Sequence, residues 1–121
     1  MAKDIVAAAS FYKQSYFFSP EYDELPTEVK KEVRVIAAIA AEKTRGIVCV
    51  GFIDGQVFME SSGLENDSEY DEITARAVID QTIDEKSEFF KMLSEWYALF
   101  MTEEGRRKKD NFLKNFKEEY I

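Results

Sequence analysis

Histidine is missing from the chain and cysteine occurs once, at Cys49. Without histidine there is no imidazole base, no Ser-His or Cys-His nucleophile pair, and none of the commonest zinc or iron ligands. A single thiol builds neither a disulfide framework nor a thiolate metal site, and it fits a reducing compartment. Cys49 falls in the middle of an apolar run, so it reads as a small core residue rather than a nucleophile. The five glycines (Gly46, Gly51, Gly55, Gly63, Gly105) never fall into a phosphate-cradling spacing. No apolar run approaches the roughly 20 residues that span a bilayer. The beginning of the chain also lacks the charged, then apolar, then small-residue order of a secretory signal. A cytoplasmic protein without cofactor or membrane partner is the expectation.

The 121 residues, 45% of them hydrophobic and 14% aromatic, suffice for one domain with one core, 1–121. Charge is uneven. From Thr102 on there are six bases and five acids, whereas the first 101 residues hold ten bases against nineteen acids. That body repels nucleic acid and anionic membrane and attracts basic partners.

Periodicity predicts a helix over Asp4–Phe18, with Ile5, Ala8, Ala9, Tyr12 and Tyr16 on one face and Ser19-Pro20 as its end. A second helix is predicted from Pro26 to Arg45, with Val29, Val33, Ile36, Ala37 and Ala40 inward, widened by Val35 and Ile39, and Gly46 as its stop. Asp54-Gly55 between two β-branched and aromatic runs marks a two-residue hairpin turn. Cross-strand partners then have numbers summing to 109, so Val48, Val50, Phe52, Val57 and Met59 form an apolar face. The other face is mixed and carries Ile47, Ile53 and Phe58. A lone hairpin is marginal and has two open edges. Homodimerisation through that face or those edges is therefore expected.

Beyond Asp67 the pattern is helical. Tyr70, Ile73, Ala77 and Val78 form a short amphipathic stretch, and Thr82 with Glu85 reads as the capping box of a new helix. That helix bears Phe89, Phe90, Leu93, Trp96, Tyr97 and Phe100 and ends by Gly105. Residues 103–121 read as a helical tail extending the core. The fold class is α+β, in the order helix, helix, β-hairpin, helices.

"YKQSYFFSPEYDELP" followed by "EVKKEV", the hairpin around "GFIDGQVFMES", "YDEI" at Tyr70–Ile73 and "WYALF" occur in an order that resembles a small family of single-domain bacterial proteins with no assigned function. The resemblance runs from about Ser10 to Phe100 and implies a similar order of elements, with no activity and no functional residue attached.

Carboxylates are the remaining chemistry. "ENDSEYDEI", residues 65–73, packs five acids into nine positions. Asp67, Glu69 and Asp71 alternate as a calcium loop's ligands do, but Glu72 stands where that loop needs glycine and Val78 where it needs a bidentate glutamate. The stretch reads better as a helix start: Asn66, Asp67 or Ser68 as cap, and acids at the positive end of the helix dipole. Its exposed acids, with Glu60, Glu65, Asp67, Glu69, Asp71 and Glu72 as one face, are a candidate surface for a basic partner. Arg106, Arg107, Lys108 and Lys109 are a candidate basic contact, read otherwise as a solvated helix start paired with Glu103 and Glu104.

Three functions follow from this reading. The first is a non-enzymatic adaptor or regulator that binds another protein. The second is an acidic mimic that occupies a nucleic-acid-binding protein, as phage-type inhibitors do. The third is a Mg²⁺-dependent carboxylate enzyme using, for example, Asp80, Asp84 and Glu85.

Overall fold

A computed structural model describes residues 3–107. Strands β1 (Lys3–Ser10) and β2 (Ser15–Phe18) form a first hairpin. A short 3₁₀ turn at Pro20–Tyr22 leads to helix α1 (Thr27–Thr44). A second hairpin, β3 (Ile47–Ile53) and β4 (Gln56–Ser62), is followed by helices α2 (Glu72–Glu85) and α3 (Ser87–Phe100). The sheet is antiparallel with spatial order β2-β1-β3-β4. The class is α+β as expected, but the sheet has four strands rather than two and is completed within the chain.

The correction lies in the first eighteen residues. Ile5, Ala8, Ala9, Tyr12 and Tyr16 have the spacing of one helical face, and alanine, at Ala7-Ala8-Ala9, is the best helix former. Here the alanine run is strand, because β1 lies between β2 and β3: Ala8 faces Phe17 on one side and Cys49 on the other. Packing overrides propensity. Ala7 and Ala9 turn toward α1 and are buried, and small side chains there let the alanine face of α1 (Ala37, Ala40, Ala41) settle on the sheet. The turn joining β1 to β2 holds Gln14 in the left-handed region at φ 49°, without the glycine or asparagine that would have marked it. A bulge between Ile5 and Ala7 puts Val6 and Ala7 both inside.

The second hairpin follows the expected register throughout, from Ile53 opposite Gln56 to Ile47 opposite Ser62. Asp54 and Gly55 have φ of 51° and 80°, the positive pair of a type I′ turn. Val48, Val50, Phe52 and Met59 are buried as predicted.

The helices differ in detail. Helix α1 buries Val33, Ile36, Ala37, Ala40 and Ala41, while Val35 and Ile39 point to solvent instead of widening the stripe. The left-handed residue that stops it is Arg45 (φ 56°), not Gly46. Gly46 is needed for another reason: a Cβ there would meet the Ser62 carbonyl and the Tyr70 ring, each at 2.7 Å. Helix α2 runs through Thr82, whose hydroxyl donates to the Val78 carbonyl (2.8 Å), so no capping box forms and the break comes at Lys86. Its buried residues are Ala75 and Ile79, whereas Ile73 is 84% exposed. Asp71 as cap sets that phase. Helix α3 buries Phe90 and Leu93, with Phe89, Trp96 and Tyr97 packed at the core's margin. It ends at Met101, ahead of Gly105, which packs back on Ala98 and Leu99. Residues 103–107 are helical, and the tail from Lys108 on lies outside the described residues.

Candidate interaction surface

Helices α1, α2 and α3 contact the sheet from the side of Val48, Val50, Phe52 and Met59. The opposite side has no covering element among the described residues. It carries Ile5, Ala8, Phe17, Ile47, Cys49, Ile53 and Phe58, half-buried by their sheet neighbours except Phe17, which is 54% exposed. The three residues singled out for a dimer face, Ile47, Ile53 and Phe58, thus lie on one bare sheet face. Phe58 is engaged locally. Its ring covers Gly51, and the Lys3 ammonium sits 5.5 Å from the ring centre while pairing with Glu60 at 2.9 Å. Burial, with the Glu60 carboxylate nearby, raises the Cys49 thiol pKa, so the thiol stays protonated.

The acidic stretch divides by role. Asp67 accepts from the Tyr12 hydroxyl (2.6 Å) and from the Glu69 amide (3.0 Å). Tyr12, in turn, accepts from the Leu64 amide at 3.3 Å. This strap joins the β1–β2 turn to the loop before α2. Its hydrogen bonds stabilise the ionised carboxylate, Tyr12 most of all, and hold Asp67 below the usual range. Asp71 is the cap of α2, accepting from the amides of Ile73 (3.0 Å) and Thr74 (3.3 Å) and from the Thr74 hydroxyl (2.9 Å). Those bonds lower its pKa as well. The hydroxyls of Tyr70 and Ser61 meet at 2.7 Å, tying the loop to β4. Glu60, Glu65, Glu69, Asp71 and Glu72 remain solvent-exposed, and Asp67 is half-buried.

A lowered native pKa means stability that is full above the unfolded value, about 3.9 for aspartate, and lost as pH falls through the native one. Asp67→Asn should therefore lower the urea midpoint at neutral pH, and the gap to the parent chain should narrow well below pH of about 4. A gap that stays constant down to that range would assign the loss to something other than the carboxylate.

Of the basic group, Arg106 donates from Nε to the Phe100 carbonyl (2.8 Å) and Arg107 lies 3.9 Å from Glu103. Both serve local helix geometry; Lys108 and Lys109 lie outside the described residues. Among the described residues, no three acids or thiols gather closely enough to hold a metal ion, Asp80, Asp84 and Glu85 included. No described helix is long and apolar enough to cross a membrane.

Sequence reading missed a trough along the outer edge of β4. Its cavity volume is about 900 Å³, between Phe58–Ser62 on the sheet side and Ile73, Ile79 and Ile83 on α2. A second hollow of about 530 Å³ continues it beside Val57 and α3, and Ile83 lines both. The only sequence signal was Ile73 and Ile83 falling off the buried phase of α2.

The fold and its surfaces define a small two-layer α+β domain, with helices on one sheet face, the other face bare among the described residues, and a trough at one edge. The chain belongs to the family of unknown function DUF6145, whose model matches residues 3–105. That match reaches further at both ends than the motifs that carried the resemblance. Neither a curated protein nor a solved structure matches the chain.

Proposed function

We propose that this chain is a small, non-enzymatic, cytoplasmic interaction module, an adaptor or regulator that binds protein, and that two copies associate through the bare sheet face. The observation that carries this reading is that face itself. Sheets with helices on one side normally keep polar residues on a solvated side, yet here Phe17, Ile47 and Ile53 stand there with Phe58. Apolar side chains gathered on an uncovered sheet face, Phe17 exposed and the others half-buried among Lys3, Glu60 and Ser62, support an interaction site there. The acidic-mimic reading draws less support, because Asp67 and Asp71 have structural hydrogen bonds, which leaves Glu65, Glu69 and Glu72 of this stretch to imitate phosphates.

Sedimentation velocity at rising concentration tests it. The parent chain should pass from monomer to dimer, and Phe17→Ser combined with Ile47→Lys should weaken that association at least tenfold. Both side chains lie on the bare face, away from the trough. A parent chain that stays monomeric, and that captures the same host proteins with and without the double change, would overturn the reading.

A further inference from the structure

The outer edge of β4 offers a more specific surface than the bare face. In a two-residue hairpin, Ile53 and Gln56 exchange hydrogen bonds across the turn. With the observed register, so do Gly51 and Phe58, Cys49 and Glu60, and Ile47 and Ser62. The backbone groups of Val57, Met59 and Ser61 then point away from β3, toward the edge. The Val57 amide confirms that direction, since it donates across the edge to the Ser94 hydroxyl of α3 at 3.3 Å. Among the described residues, no strand pairs with β4 beyond it, so Met59 and Ser61 present donors and acceptors to the trough. Natural proteins usually blunt such an edge. Here the neighbouring α2 stands off, leaving a gap floored by Ile79 and walled by Ile73 and Ile83.

We propose that an extended, basic peptide segment of a partner protein adds to the sheet as a fifth strand along β4, and this rests on the reading of the chain as an interaction module. The strand's alternation specifies the ligand. Side chains on the helix side of the sheet meet Ile73, Ile79 and Ile83 and must be apolar; those on the bare side lie beside Glu60 and are basic. Acids stand on both lips, Glu60 on the sheet and Glu72 and Asp80 on α2, against Arg76 and Lys3. The pairs Lys3–Glu60 and Arg76–Asp80 (4.0 Å) are exposed, so an incoming lysine exchanges partners there at little cost. The chain's net charge of −8 steers a basic segment to this site. Seven residues of β4 span about 20 Å, which sets the peptide at about six or seven residues.

Fluorescence polarisation with the full chain tests this, using a labelled, acetylated heptapeptide of alternating valine and lysine. Saturable binding at least tenfold tighter than that of the valine–glutamate counterpart is expected. Ile73→Ser, at a position too exposed to affect folding, should weaken it at least threefold. Methylating the valine amides should abolish binding while methylating the lysine amides should not, because an antiparallel fifth strand turns its valine amides toward Met59 and Ser61. Equal affinity of the two methylated peptides, indifference to Ile73→Ser, or no saturable binding would overturn the proposal. So would a dimer that Ile73→Ser dissociates, since a second copy would then occupy the edge. Failure of these arms with the bare-face association intact removes the strand addition and leaves the interaction module standing.

Discussion

Phe52→Ala should lose about 3–5 kcal/mol of folding stability, the range for truncating a buried aromatic. Phe52 is among the largest side chains the fold buries completely, at 2% exposure. Its ring lies between Tyr97 of α3, with centroids 4.6 Å apart, and Tyr22 of the 3₁₀ turn, 5.6 Å away. Tyr22 then touches Trp96 at 6.3 Å. Three separate parts of the chain therefore meet on one ring. Burial pushes the Tyr22 pKa up to about 12, consistent with a ring withdrawn from water. Removing Phe52 leaves a cavity whose walls belong to different elements, so collapse cannot fill it. Domains of this size have about 5–15 kcal/mol in total, so the loss is a large fraction of the whole. Urea denaturation followed by tyrosine and tryptophan fluorescence measures the loss; a change below about 1 kcal/mol would contradict the packing described.

The hairpin containing Phe52 was legible because its determinants are local. Asp54-Gly55 is a turn signal with one geometry, and that geometry fixes every cross-strand pair behind it. The first hairpin was not legible. Its turn is Phe11-Tyr12-Lys13-Gln14, with the left-handed position held by glutamine, and its long strand carries three consecutive alanines, Ala7 to Ala9. Nothing within those eighteen residues states that they must lie beside β3; that information resides in the alanine face of α1, which needs a shallow strand beneath it. The helix α2–α3 region shows an intermediate case. Aromatic spacing located α3, but the Thr82–Glu85 pattern occurs inside a continuous helix, where the threonine hydroxyl bonds back to Val78.

The candidate surfaces divide along the same line. The bare face with Ile47, Ile53 and Phe58 followed from the hairpin register alone. The trough did not, since it depends on the rotational phase of α2. That phase is set by Asp71 as cap and by the strap from Tyr12 to Asp67, which link residues 55 apart in the chain. Acids that looked in sequence like a ligand cluster thus orient the helix that forms one wall of the trough.

Gly51→Val should be as damaging as the loss of Phe52, for the opposite reason. Gly51 is on β3 at the point where β1 bulges, opposite Ile5 on one side and Phe58 on the other. A Cβ at this position would collide with the Asp4 carbonyl and come within 2.8 Å of the Phe58 ring. The Asp4 carbonyl is backbone, held by the ladder, and cannot swing aside as a side chain would. Valine therefore has to part β1 from β3 in the middle of the sheet. Overpacking typically costs about 1–3 kcal/mol where side chains can adjust, and here the ladder bonds around the bulge are lost as well. Valine is otherwise favoured in strands, so propensity predicts a gain where the close approach predicts a loss. Equilibrium denaturation separates the two. A midpoint at or above that of the parent chain would mean that β1 does not lie against Gly51, and the four-stranded sheet would fail with it. A double change, Gly51→Val with Phe58→Ala, distinguishes the two obstacles: relieving the ring alone should recover little if the Asp4 carbonyl is the main one.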